Sequence, residues 1–152
     1  MSPGFAIART RTKATTKVTD IAIAHIQRDQ PDFAFVYLGT VDTAGHFYGW
    51  MSDGYLRQAE RDDQNLGRLL ASLPVTAHVL VHADHGGHDR NHGEDIPEDM
   101  TIPWLIVGPT VKAGYEIPTA VSLLDTAPTL AHLLGVQVHR DWEGRCVEEA
   151  FL

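Results

Sequence analysis

Three short apolar runs that alternate with helical patterns constrain the fold of this chain most strongly. The apolar runs, each suited to a strand buried on both faces, occupy residues 33–38, 77–83 and 104–107. The helical patterns, recognised by their apolar spacing and end signals, occupy residues 18–29, 52–73 and 121–134. Strands that alternate with helices predict an α/β protein with a layered α/β/α architecture and a mostly parallel sheet.

Three strands are few for a parallel sheet, which needs both of its faces covered and its edges protected. We therefore expect the chain to be part of a larger sheet, with an unpaired edge that favours self-association or a partner chain. A length of 152 residues suits one domain or part of one. Residues 1–17 carry few apolar side chains and predict a flexible N-terminal arm, whereas residues 18–152 carry the folded domain.

Composition excludes several classes of partner. A formal net charge of −8 argues against nucleic-acid polymers and anionic membranes, although metal ions could still supply local positive charge for a phosphate group. The single cysteine, Cys146, excludes an internal disulfide and is consistent with a reducing compartment. No apolar run approaches the roughly 20 residues of a membrane span, and the N-terminus lacks a secretory signal. These features predict a cytoplasmic protein.

Carboxylates and imidazoles follow the first two apolar runs. The residues concerned are Asp42, His46, Asp84, His85 and His92. Such side chains, brought from the ends of separate strands, suit a bound divalent cation. Asp42 and His46 are four residues apart, so one helical turn or a tight loop could direct both at one point. Asp84 and His85 are adjacent and point in different directions from an extended backbone, so they could address two neighbouring metals. Five ligands exceed the need of one tetrahedral ion and indicate a two-metal site.

Three ordered sequence elements resemble those of a known family. Val-Asp-Thr-Ala-Gly-His-Phe-Tyr-Gly-Trp at 41–50 resembles the Asp-x-x-Gly/Ala-His-x-x-Gly element of the alkaline phosphatase superfamily. His-Ala-Asp-His-Gly-Gly-His at 82–88 resembles its Ser/Ala-Asp-His-Gly element, and the segment from His92-Gly93 to Pro103-Trp104 resembles the segment with the last ligand. Gly108-Pro109 and Leu-Asp-Thr-Ala-Pro-Thr at 124–129 add to this likeness. The most similar branch is the type I phosphodiesterase/nucleotide pyrophosphatase group, from about residue 18 to the end.

The resemblance implies two bound metal ions, usually zinc and in some relatives manganese. Asp42, His46 and His92 would hold one ion, and Asp84 and His85 would hold the other. His88 is the alternative to His92 as fifth ligand, and otherwise is expected to support a ligand from behind. In the family, the Ser/Thr nucleophile and a further aspartate come from an N-terminal half that has no counterpart here. The resemblance therefore implies an incomplete, C-terminal portion of an alkaline phosphatase-like fold, with no catalytic nucleophile of its own.

Three functional hypotheses remain open at this point. The first is a metal-dependent phosphoric ester hydrolase that acts on a small phosphate ester or nucleotide, with little or no activity by this chain alone. The second is a noncatalytic metal-binding fragment, or a subunit that completes a site with a partner chain. The third is a phosphomutase or sulfatase relative that shares the metal-binding core.

Other polar residues have simpler interpretations. Thr43 lies between two ligands, but we expect no nucleophilic role, because family nucleophiles lie at a helix N-terminus in the other half. Asp125 and Thr129 are expected to cap and pack a helix. The acidic residues at 94–99 are expected to form a solvated loop.

Overall fold

A computed structural model describes residues 5–8, for which only the backbone is considered, and residues 15–152. The chain forms two compact units. The first unit comprises Met1–Leu73 and His85–Thr101, and the second comprises Pro74–Asp84 and Ile102–Leu152. Asp84 and His85 are therefore adjacent in sequence but belong to different units.

The first unit combines a parallel strand pair with four helices. The strands are β1 (Phe5–Ala8) and β2 (Phe33–Val36), which pair in parallel with Phe5 opposite Phe33. The helices are α1 (Thr15–Asp29), α2 (Thr40–Tyr48), α3 (Asp53–Ser72) and α4 (Pro97–Met100). Both α1 and α2 pack against α3, and their contact buries apolar side chains of all three helices: Val18, Ala22, Ala44 and Leu69.

Helix α3 confirms the helix predicted over residues 52–73. Ser52 caps its first turn, because its hydroxyl accepts a hydrogen bond from the backbone N–H of Tyr55 at 3.3 Å. The helix ends at Ser72, two residues before Pro74, whose ring disfavours helical conformation in the residue before it. The long amphipathic helix is thus recognisable from its apolar spacing and its end signals alone.

Helix α2 is longer than the single turn or tight loop expected for Asp42 to His46. Gly39 and Gly49 flank it, and Gly49 has a φ of +95° that suits glycine. Packing favours the helix despite the polar Asp42 and His46 and the internal glycine, because Ala44 and Gly45 are buried in the first unit. Here tertiary contacts outweigh a weak intrinsic preference.

The second unit contains an antiparallel strand pair. Strands β3 (Val79–His82) and β4 (Trp104–Val107) pair so that Val79 lies opposite Val107 and His82 opposite Trp104. The chain leaves β3 and re-enters β4 at the same end of the pair, which requires opposite strand directions. The α/β class is confirmed, with one parallel and one antiparallel pair where a mostly parallel sheet was expected.

Helix α5 (Thr126–Leu133) follows a 3₁₀ turn at Leu123–Asp125. The expected cap is found on the 3₁₀ turn that precedes the helix: the Ser122 hydroxyl accepts the Leu124 N–H at 3.2 Å, and the Asp125 carboxylate accepts the Ser122 backbone N–H at 2.8 Å. Its end is marked by Gly135, with a φ of +64°, as is common after a helix. Thr129 is fully buried and its hydroxyl donates to the Asp125 carbonyl at 2.7 Å. A second 3₁₀ turn, Glu148–Ala150, lies close to the last residue, and its Ala150 is buried.

Part of the predicted flexible arm is regular structure. The short apolar run Phe5–Ala8 pairs along β2, and α1 begins at Thr15, which is buried and hydrogen-bonded to the Thr40 hydroxyl. The expectation for residues 1–4 and 9–14 lies outside the described residues. Within the part of the chain that the structure describes, no helix is long and apolar enough to cross a membrane.

Candidate metal centre

Helix α2 presents Asp42 and His46 on one face, one turn apart. Nε2 of His46 lies 3.4 Å from Oδ1 of Asp42. This arrangement follows directly from the four-residue spacing, since residues i and i+4 are neighbours on a helix surface.

Two further imidazoles, those of His85 and His92, lie close to the same carboxylate oxygen. Nε2 of His92 lies 3.5 Å from Oδ1 of Asp42, and Nε2 of His85 lies 3.9 Å from it. The His85 and His92 rings are stacked, with centroids 3.7 Å apart and planes 17° from parallel. Four of the five predicted ligands therefore meet within the first unit.

The Oδ1 atom of Asp42 is buried yet accepts no hydrogen bond from the residues that the structure describes. An unsatisfied buried oxygen costs about 1–3 kcal/mol, and more when it is charged. Three imidazole nitrogens face it at distances longer than the 2.7–2.9 Å or so of a strong charge-assisted hydrogen bond. A cation among these atoms would satisfy the oxygen.

The hydrogen bonds of two histidines orient their lone pairs towards Asp42. Nδ1 of His46 lies 2.8 Å from the carbonyl oxygen of Arg90, and Nδ1 of His85 lies 2.7 Å from that of Gly86. A carbonyl oxygen only accepts, so each Nδ1 carries the proton. In the neutral imidazole, Nε2 then carries no proton, which is the form that binds a metal.

The spacing of Asp42, His46 and His92 fits a single ion. Two ligand atoms bonded at about 2.0–2.1 Å to a tetrahedral zinc are roughly 3.3 Å apart. The separations from Asp42 to His46 and His92 are 3.4 and 3.5 Å, and the three ligand atoms lie within 4.8 Å of one another. His85, at 3.9 Å, lies further from this geometry.

Trp50 supports the two imidazoles from one side. Its ring centroid lies 5.1 Å from that of His46 and 5.8 Å from that of His92. The indole packs directly on Gly45 and Gly87, where a Cβ atom would come within 2.7 and 2.1 Å of it. Glycine is therefore required at both positions for this contact, and the Gly-Gly pair after His85 has a packing role.

His88 is hydrogen-bonded to a different carboxylate, that of Asp99. Its Nδ1 lies 2.8 Å from Oδ1 of Asp99, which is only 3% exposed. The hydrogen bond to Asp99 raises the pKa of His88. Burial raises the pKa of Asp99, but hydrogen bonds from His88 and from the Glu94 N–H outweigh burial and hold it below its ordinary value. The prediction of a solvated acidic loop is thus wrong for Asp99, because the folded loop encloses it.

The structure places three other polar residues as follows. Asp84 is exposed and belongs to the second unit, so its role as a ligand stays a prediction. The hydroxyl of Thr43 donates to the Gly39 carbonyl at 3.2 Å within α2. In the second unit, Nε2 of His78 lies 2.8 Å from the Thr110 hydroxyl.

An open groove of about 590 Å³ runs along the end of α2. It is lined by Tyr48, Gly49, Trp50, Met51, Ser52, Asp89, Arg90 and Asn91. The groove shares Arg90 with the hydrogen bond that orients His46, and it shares Trp50 with the packing behind the imidazoles. It therefore borders the candidate metal centre within the first unit.

The sequence matches a known family over most of its length. The description of that family is type I phosphodiesterase / nucleotide pyrophosphatase, and the match covers residues 6–101. These residues include the whole cluster around Asp42. The chain belongs to this family, as the resemblance of its motifs indicated.

Similar proteins include phosphoryl-transfer enzymes and a sulfatase. A 2,3-bisphosphoglycerate-independent phosphoglycerate mutase of Natronomonas pharaonis is 29% identical over 88% of this chain and 27% of its own length. A phosphopentomutase of Symbiobacterium thermophilum is 33% identical over 73% of this chain and 28% of its own length. Arylsulfatase K of Xenopus laevis is 31% identical over 59% of this chain and 19% of its own length. The chain thus spans about a quarter of the length of these relatives.

Proposed function

We propose that this chain supplies the metal-binding part of a phosphoric ester hydrolase. The observation that carries the proposal is the buried Oδ1 of Asp42, which has no hydrogen-bond donor among the described residues and is faced by three imidazole nitrogens. Membership of the type I phosphodiesterase / nucleotide pyrophosphatase family supports the reaction class. Zinc is the first choice of ion, and manganese the second, because carboxylate and imidazole ligands suit both.

The residues would divide their tasks as follows. Asp42, His46 and His92 would hold one ion, while Arg90 and Trp50 fix the orientation of the imidazoles. His85, together with Asp84, would hold a second ion. A bound divalent cation supplies Lewis acidity towards a phosphoryl oxygen, which is the main resource for phosphoryl transfer.

We propose a small phosphate ester or nucleotide as the substrate class, and no nucleic-acid polymer. The net charge of −8 repels phosphate at long range, so local positive charge from cations is needed to bind it. Tyr48 and Arg90 line the groove beside α2, where they would contact the organic part of such an ester. Replacement of Tyr48 by Ala should weaken the binding of a nucleotide to the zinc-loaded chain in calorimetry, because the tyrosine would contact the substrate away from the phosphorus.

A metal-binding chain without catalysis of its own, or one that completes a site with a partner, remains the alternative. The expected activity of this chain alone on a nitrophenyl phosphodiester is slow or absent, since no nucleophile is assigned to it. A phosphomutase core is a further candidate, favoured by the similarity to phosphoglycerate mutase and phosphopentomutase. Release of inorganic phosphate indicates a hydrolase, whereas transfer between hydroxyl groups of a sugar phosphate indicates a mutase.

Calorimetric titration of the metal-free chain with Zn²⁺ and Mn²⁺ tests the proposal. Asp42→Ala and His92→Ala should each abolish binding at one site. His139→Ala is the matched control, because His139 lies exposed in the second unit and pairs only with its neighbour Asp141 among the ion pairs of the described residues. Unchanged stoichiometry in both ligand variants would refute the ligand assignment.

We also propose that the chain self-associates or binds a partner through its strand pairs. Large apolar side chains on β2 and β4 are exposed: Phe35 is 47%, Leu105 60% and Val107 58% accessible. Such exposed strands promote edge or face pairing. Light scattering across a concentration series should show association that Leu105→Lys and Val107→Lys together reduce. A monomeric wild-type chain at all concentrations would contradict the proposal.

A further inference from the structure

We infer that Asp99 is the positioning residue that holds the histidine segment in its metal-binding conformation. This inference rests on the proposed function, because it concerns a residue that supports the same metal centre. Asp99 acts through the backbone and the side chains of residues 86–94, called here the histidine loop.

Three oxygen atoms of Asp99 contact the histidine loop at three separate points. Its carbonyl oxygen accepts the Gly86 N–H at 2.7 Å. Its Oδ1 lies 2.8 Å from Nδ1 of His88, and its Oδ2 accepts the Glu94 N–H at 2.8 Å. Gly86 directly follows His85, and positions 88 and 94 flank His92. One residue therefore holds the chain directly after His85 and on both sides of His92.

The loop between these contacts is closed by further hydrogen bonds. His88 and Asn91 exchange backbone hydrogen bonds of 3.0 and 2.8 Å, which form a tight turn. Arg90 lies within this turn, and its carbonyl oxygen is the acceptor for Nδ1 of His46. Restraint of the turn by Asp99 thus extends to the orientation of a third imidazole.

The burial of Asp99 makes this restraint strong and sensitive to substitution. Its side chain is 3% exposed, and both carboxylate oxygens are paired with donors. An asparagine at this position has one acceptor oxygen only, so its amide nitrogen faces either the Glu94 N–H or a His88 ring that must give up the proton on Nδ1. Partners that support metal ligands in this way typically contribute ten- to a hundred-fold, roughly, to metal affinity.

The matched control is Asp125 in the second unit. It is 5% exposed, and its carboxylate accepts two backbone N–H groups at 2.8 Å, from Ser122 and Arg145. Asp125→Asn should therefore destabilise the fold by a similar mechanism, without a bond to the histidine loop. It separates loss of stability from loss of ligand position.

Calorimetric titration of the full chain with Zn²⁺ provides the first test. Asp99→Asn should weaken zinc binding about ten- to a hundred-fold, and Asp125→Asn should leave it unchanged. His88→Gln removes one of the three contacts and should give a smaller loss. If Asp99→Asn does not fold, His88→Gln takes its place in the test. Wild-type affinity in a folded Asp99→Asn variant, or in His88→Gln where only that variant folds, overturns the inference.

A readout without metal keeps the inference separate from the proposed function. In the metal-free wild type, the stacked His85 and His92 rings, 3.7 Å apart, should give mutual NMR contacts between their ring protons. These contacts should weaken in Asp99→Asn and persist in Asp125→Asn. If the wild type binds no zinc, the proposed function fails, and this comparison alone decides the role of Asp99. Persistence of the ring contacts in Asp99→Asn then overturns it.

Discussion

Nδ1 of His46 lies 2.8 Å from the carbonyl oxygen of Arg90, which joins helix α2 to the segment that carries His92. The contact determines which nitrogen of the ring carries the proton, and it directs Nε2 towards Asp42. The Arg90 carbonyl thus links the motif that contains Asp42 and His46 to the segment that contains His92.

The first prediction concerns imidazole tautomers in the metal-free protein. His46 and His85 should be protonated at Nδ1 when neutral, because each donates to a carbonyl oxygen. His139 serves as the internal control, because its Nδ1 accepts the Asp141 N–H at 3.3 Å and so should carry its proton on Nε2. Long-range proton–nitrogen NMR spectra distinguish the two forms. A neutral His46 protonated at Nε2 would contradict the orientation argued here.

Asp42→Asn should stabilise the metal-free protein while it removes metal binding. The substitution removes a charge whose buried oxygen has no hydrogen-bond donor within residues 15–152, and the new amide can donate to a neighbouring imidazole nitrogen. We expect the free energy of unfolding in urea to rise by up to about 1 kcal/mol. A loss of stability of that size in the absence of metal would show that the carboxylate is already satisfied.

Thr43→Ala should leave metal affinity and any turnover unchanged. The Thr43 hydroxyl donates to the Gly39 carbonyl inside α2, so its loss removes a local helix contact only. The expected change in stability is within about 0.5 kcal/mol. Robust hydrolysis of a nitrophenyl phosphodiester by the wild type that disappears in this variant would identify Thr43 as a nucleophile and contradict the assignment.

The pair formed by His88 and Asp99 should make stability depend on pH. The folded pKa of His88 is raised by Asp99, so the charged imidazole stabilises the fold fully below its ordinary pKa of about 6.5. That contribution is lost as the pH rises through the raised pKa. The pKa of Asp99 is lowered, so its contribution is present above about 3.9 and lost as the pH falls through its folded value.

Urea unfolding of the wild type and of His88→Gln across this range measures the effect without metal. The difference in the free energy of unfolding should be largest between about pH 4 and 6.5, where both charges are present, and smaller at pH 9. A difference that does not vary with pH would show that the pair is not charged in the folded protein.

The sequence predicts the elements whose signals are local. Ser52 and Pro74 mark the ends of α3, and the four-residue spacing of Asp42 and His46 places both on one side of a helix. The run 104–107 is a strand with the bounds that its apolar residues suggest. Each of these predictions depends on residues within a turn or two of one another.

Features that depend on distant contacts were not predictable in the same way. The full length of α2 depends on the burial of Ala44 and Gly45, which no local pattern reveals. Asp99 is one of four acidic residues between positions 94 and 99, and no spacing rule selects it for burial. The antiparallel pairing of β3 with β4 likewise follows from the path of the chain between His82 and Trp104.

Anomalous scattering from crystals soaked in zinc tests the central claim most directly, because it locates the ion without reference to activity. We predict a strong peak within bonding distance, about 2.0–2.2 Å, of Asp42 Oδ1, His46 Nε2 and His92 Nε2. A second peak beside His85 would mark the other ion. Zinc bound elsewhere, with these three side chains free of metal, would contradict the account.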